Sequence, residues 1–202
     1  SLCDWSSDVC SSDLTGRSLS HLVKNELREM QGNILTLINV LKVEGILEPT
    51  VEAIVSMLWR LTVPKDDTND DVLLEISNDA IETIIITMDY FNSITIREAV
   101  CGILANMSMQ KNFSAELAQK TFLSMQKFLL KMECIDEGVA TCALHAICNM
   151  LDKPTIRTNL LSDQRLIEMV LFLMKQFSKS EELIEFACLA IGHAAQIGRA
   201  HV

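Results

Sequence analysis

The chain has 202 residues, 49% of them hydrophobic and 22% charged, and a formal net charge of −10. An acidic chain with no Lys/Arg block lacks the electrostatic footprint of a phosphate-backbone binder, which sets aside nucleic acid and anionic membrane as direct partners. No uninterrupted apolar run reaches the roughly 18 residues a membrane-spanning helix needs, and three prolines with seven glycines give too little turn chemistry for a β fold.

In chain order, the first segment is read as foreign to the fold. Asp8-Val9-Cys10-Ser11-Ser12-Asp13 can be encoded by GAC GTG TGC TCT TCC GAT. The reverse complement, ATC GGA AGA GCA CAC GTC, translates as Ile197-Gly198-Arg199-Ala200-His201-Val202. One oligonucleotide read on opposite strands accounts for both ends, as translated sequencing adapter does, and such scars are excluded from fold reasoning. The expected organisation is a disordered adapter-derived stretch at 1–14, a helical-repeat domain over 15–196, and a second adapter-derived stretch at 197–202, with the native termini missing. Cys3, Trp5, Cys10 and His201 then carry no function. Setting aside Asp4, Asp8, Asp13 and Arg199 takes the formal charge from −10 to −8. The remaining length suits one domain burying roughly 70% of its unfolded surface.

The first unit is expected to supply a middle helix over Asn33–Val43, after the Gln31-Gly32 break, and a third helix over Thr50–Val63 with Pro49 at its start. The second supplies Asp71–Asn78, Asp79–Phe91 with Asp79 as N-cap, and Thr95–Met109. The third supplies Asn112–Gln119, Lys120–Met132 and Asp136–Leu151, and the fourth Thr155–Ser162, Gln164–Phe177 and Glu181–Ala195. Apolar residues recur at three and four, as in Ile167, Val170, Leu171, Met174 and Phe177, which is a helical period. The run Ile84-Ile85-Ile86 has strand propensity, but no Gly or Pro interrupts the segment through Phe91, which favours a buried helix.

The third helices close alike: Leu58-Trp59-Arg60-Leu61, Leu104-Ala105-Asn106-Met107, Ile147-Cys148-Asn149-Met150 and Ile191-Gly192-His193-Ala194. Their third residues, Arg60, Asn106, Asn149 and His193, are 46, 43 and 44 residues apart. That period lies within the roughly 40 to 47 residues of armadillo and HEAT repeats. Three helices per unit favour the former. The expected fold is all-α, an armadillo-type α-solenoid of about four three-helix repeats.

The string Arg97-Glu98-Ala99-Val100-Cys101-Gly102-Ile103-Leu104-Ala105-Asn106-Met107 resembles the armadillo consensus. It is more closely similar to the serum amyloid A-like family of armadillo-type proteins, which carries R-E-x-x-x-G-I-L-x-N-M here. Trp59 followed by Asp71-Val72 has similar spacing in that family, apart from extra residues around Pro64–Asp70. The likeness spans Ile54 to Ala195, with strong identity only in the quoted string. The resemblance implies an intracellular adaptor-like protein linked to cell proliferation, with no established enzymatic activity, poorly defined direct partners and no catalytic residues to transfer.

Armadillo proteins of this kind line a groove with third-helix asparagines that bond an extended peptide's backbone, so the resemblance makes Arg60, Asn106, Asn149 and His193 the candidate partner-binding ladder. On a helical projection Ala99, Val100, Ile103 and Met107 share a stripe and Asn106 falls at its edge. The competing reading is that Asn106 and Asn149 satisfy backbone groups between helices, as buried amides must. Importin-like binders place tryptophan four residues before the asparagine; here those positions hold Ser56, Gly102, His145 and Leu189, which argues against a basic nuclear-import signal as ligand.

Cys142, His145 and Cys148 have ligand chemistry but spread around their helix without a fourth ligand, so packing is the expected role and no metal or cofactor is expected. Asp66 to Asp71 lacks the glycine and terminal glutamate of a calcium loop. Body cysteines Cys101, Cys134, Cys142, Cys148 and Cys188 show no framework spacing, which points to reduced thiols and a cytoplasmic or nuclear location. With no nucleophile–base–orienter set, the chain is not expected to be an enzyme. The function expected is a monomeric interaction scaffold holding a protein or peptide partner, the alternative being a regulatory or nucleotide-exchange factor for a chaperone or small GTPase.

Overall fold

Short polar side chains decide where four of the helices begin. The computed structural model describes residue 29 and residues 32–63, 76–110, 113–130, 135–161 and 165–200, with side chains described to 195. Helix α1 occupies 32–41 and α2 Glu48–Thr62, with Pro49 in its first turn. Gly45, in the connecting turn, has φ +74°, a backbone that favours glycine. Helix α3 (Asn78–Tyr90) is capped by Ser77, whose hydroxyl accepts from the Ala80 amide. Ser93 and Ser114 do the same for α4 (Ile94–Ser108) and α5 (Ala115–Leu129). Asp136 accepts from the Gly138 and Val139 amides at the start of α6 (Glu137–Asp152). Each such cap satisfies an amide with no intrahelical partner, worth about 1 kcal/mol. Three further helices follow: α7 (Pro154–Leu161), α8 (Arg165–Gln176) and α9 (Glu181–Ala200).

Two expectations are corrected here. The N-cap of α3 is Ser77, not Asp79, which lies inside the first turn. The two helices expected over Asn112–Gln119 and Lys120–Met132 are one, α5, because no Gly or Pro separates Ser114 from Leu130 and the junction residues Gln119 and Lys120 are good helix formers. Lys153-Pro154, by contrast, does end α6 and opens α7, since proline suits a first helical position and not an interior one. Residues 1–14, the acidic run at 66–71 and most of the short helix expected over Asp71–Asn78 lie outside the described residues.

Among the described residues every regular element is helical. Helices α2, α4, α6 and α9 pack side by side, α4 between α2 and α6, and α6 between α4 and α9. A second row lies against them: α3 on α4 and α5, α5 on α7, and α8 on α9. Central α4 is accordingly buried nearly all round, from Ile96 through Val100, Cys101, Ile103 and Leu104 to Met107. In the isoleucine run, Ile84 and Ile85 enter the core and Ile86 faces water. On α8 the buried stripe is Leu166, Met169, Val170 and Leu173, and Leu171 is exposed, so the expected stripe is rotated by one residue. No helix among the described residues is long and apolar enough to cross a membrane.

One contact ties α2 to α4 with little tolerance. The Trp59 indole lies over Gly102, and a Cβ added there would sit 2.3 to 2.7 Å from Cε2, Nε1 and Cζ2 of that ring. Gly192, inside α9, has nothing within 4 Å of such a Cβ. A helical Gly→Ala exchange in open space gains roughly 0.5–1 kcal/mol, whereas forcing a ring aside costs about 1–3 kcal/mol. Gly192→Ala is therefore expected to raise the urea midpoint and Gly102→Ala to lower it, a difference in sign that equilibrium unfolding reads directly.

Candidate functional site

The ladder residues occupy one row of helices but do two different jobs. Asn149 Nδ2, on α6, donates to the Ala105 carbonyl of α4 at 3.0 Å. Ala105 lies in the last turn of α4, where carbonyls have no intrahelical donor, and the Ser108 hydroxyl donates to the same oxygen at 2.7 Å. A carbonyl only accepts, so the amide end facing Ala105 is the NH2 and the Asn149 Oδ1 points the other way. Asn106 Nδ2, on α4, meets Thr62 Oγ1 of α2 at 3.2 Å. The single Thr62 hydroxyl proton is committed to the Trp59 carbonyl at 2.9 Å, so Thr62 accepts from Asn106. Both asparagines thus use a donor to stitch neighbouring helices, over separations of 44 residues in each case. Their carbonyl oxygens accept no hydrogen bond among the described residues.

Arg60 and His193 are not stitched. Arg60 is exposed near the end of α2. His193, on α9, is half-buried and makes no hydrogen bond among the described residues, its Nδ1 being shielded and unpaired.

Beside His193 the structure opens a groove of about 280 Å³ between α6, α9 and the end of α4, lined by residues that include Met109, Asn149, Asp152, Phe186 and Leu189. Lys153 borders it as well, but its ammonium donates to the Gln110 carbonyl and stands 5.7 Å from the centre of the Phe113 ring. Burial lowers its pKa. The groove unites Asn149 and His193 from the ladder with Met109, Phe186 and Leu189, which periodicity alone did not single out. Arg60 and Asn106 belong to the α2–α4 side.

The Cys142, His145 and Cys148 set is absorbed by packing. The His145 ring stacks on Phe186 with centroids 4.6 Å apart and planes 11° from parallel. Cys148 Sγ contacts the Phe186 carbonyl at 2.9 Å. Burial pushes the Cys142 and Cys148 thiols up to about 12, the opposite of thiolate activation. The described cysteines Cys101, Cys142, Cys148 and Cys188 are free thiols. No three His, Cys, Asp or Glu side chains converge on a metal position among the described residues.

Two measurements test this geometry. Asn149→Ala is expected to cost about 0.5–1.5 kcal/mol in urea unfolding. Asn149→Asp should cost more, because it replaces the needed donor with a carboxylate facing a carbonyl. His145 has its pKa lowered from 6.5, chiefly by burial, with Glu182 opposing. The unfolded chain then binds the proton more readily, so this contribution to stability is complete above pH 6.5 and declines as pH falls through that value. His145→Phe, which keeps the stack without the titration, should show a shallower loss of stability between pH 7 and pH 5.

Compared with protein-family models, with curated proteins and with solved structures, the chain matches none, and its function is read from the geometry above.

Proposed function

We propose that this chain is a protein-interaction scaffold whose helices form an armadillo-type α-solenoid, and that it holds a partner polypeptide along the face of α2, α4, α6 and α9. The observation that carries the reading is the pair of asparagine stitches. Each spends a donor on the preceding helix of the row and keeps its Oδ1 available, so a regular ladder of acceptors faces a partner's backbone amides at helix-to-helix spacing. Equal separations of 44 residues for the two stitches support a structural repeat. So does the side-by-side packing of α2, α4, α6 and α9. The succession α7, α8 and α9 supports a three-helix unit, and α5 with α6 is then a unit in which one pair of helices has merged.

Non-catalytic action is supported by the thiol chemistry, since Cys142 and Cys148 are driven away from the thiolate form and His145 is committed to a ring stack. The proposal includes a monomer acting in the cytoplasm or nucleus, in keeping with free cysteines, and an adaptor role tied to cell proliferation by the resemblance of the Arg97–Met107 string.

Asn106 and Asn149 hold the fold together, so a clean test changes Arg60 and His193 instead. Partners recovered on tagged wild-type protein and on the Arg60→Glu, His193→Glu double variant would be quantified by mass spectrometry, with matched helicity by circular dichroism. A drop of about tenfold in a reproducible partner, on the order of 1.4 kcal/mol, is expected. Unchanged recovery by a folded variant would remove this face from consideration.

A further inference from the structure

The groove beside His193 combines an apolar floor with a spare acceptor and one uncommitted charge. Met109 is 50% and Leu189 47% exposed, and half-buried Phe186 lines the groove with them. At about 280 Å³ the space is at the small end of ligand sites, with room for one large side chain and its backbone. On the polar side, Asn149 keeps Oδ1 free because its NH2 is tied to Ala105.

The charges around it are unequal in availability. Lys153 is turned onto the Gln110 carbonyl and the Phe113 ring. Arg157, outside the lining, is spent on the Leu151 and Asp152 carbonyls that end α6. Glu182 lies near His145, and Glu185 is exposed on α9. The exposed carboxylate of Asp152 is the lining charge with no side-chain partner among the described residues. It sits at the C-terminal end of α6, where the helix dipole also favours a cation.

Resting on the interaction-scaffold reading, we infer that this groove receives an extended segment of a protein partner carrying one large aliphatic or aromatic anchor next to a lysine or arginine. The anchor covers Met109, Phe186 and Leu189, a backbone amide donates to Asn149 Oδ1, and the basic side chain meets Asp152. The apolar contact supplies most of the affinity, and the surface ion pair supplies the preference in charge.

The test uses three fluorescent nonapeptides: a central leucine flanked by lysines, the same leucine flanked by glutamates, and a central serine flanked by lysines. Anisotropy reports binding, and methyl-labelled methionine NMR reports Met109. The Leu/Lys peptide is expected to bind at least about tenfold more tightly than either control and to shift the Met109 methyl. Leu189→Asp should remove that binding, and Asp152→Asn should remove the preference for lysine over glutamate at low salt, the preference also fading in high salt. Both positions are exposed, so the variants should stay folded, checked by circular dichroism. Equal binding of the glutamate peptide, or binding that leaves Met109 unmoved, overturns the groove assignment. If no peptide binds while partner recovery still depends on Arg60 and His193, this inference falls and the scaffold reading stands.

Discussion

The structure depends on a side-chain amide reaching across from one helix to finish the end of another. Terminal carbonyls of an α-helix have no donors of their own, and leaving one buried and unpaired costs roughly 1–3 kcal/mol. Asn149 supplies such a donor to α4 at Ala105. Lys153, one turn further along, supplies a second to Gln110, just beyond the same helix. Asn106 repeats the device on α2 through Thr62. Because each bond joins residues over 40 apart in the chain, it sets the stagger of the row; those from Asn149 and Lys153 also saturate a carbonyl, and that from Asn106 anchors the hydroxyl that does so. The apolar surfaces of α4 and α6 would pack in several registers; a directional donor and acceptor pair admits far fewer.

This arrangement changes how the two asparagines are understood. Structural and recognition roles are usually set against each other, yet a primary amide has separate donor and acceptor ends. Here the donor end belongs to the fold and the acceptor end is left over. The donor bond holds the side chain in one orientation, so the acceptor end is fixed in place as well. At the far end of the row His193 lacks a stitch, and beside it lies the groove with exposed Met109 and Leu189.

Much of the helical layout was legible from the chain. The 43 to 46 residue spacing located the closing helices, and Pro49, Asp136 and Pro154 mark boundaries through chemistry local to each residue. Asn106 at the edge of its apolar stripe followed from angular position alone. The α5 merger was hidden because a repeat pattern predicts a break where the local sequence offers none. The α8 stripe was rotated because Leu166, Met169 and Leu173 are as apolar as Ile167, Leu171 and Met174, and only neighbouring helices decide which set they cover. The division of the ladder into stitched and unstitched members needed hydrogen-bond partners some 44 residues away, which no local pattern encodes. Met109 and Leu189 are ordinary apolar residues in the chain; their exposure is a property of the assembled row.

The fit of Trp59 over Gly102 ties two distant positions together. The ring is carried by α2 and the space for it by α4, so neither helix contains the whole contact. A smaller side chain at residue 59 would leave the glycine facing a void, and any side chain at residue 102 would press on the ring. A change at either residue therefore has to be answered at the other, although 42 residues lie between them.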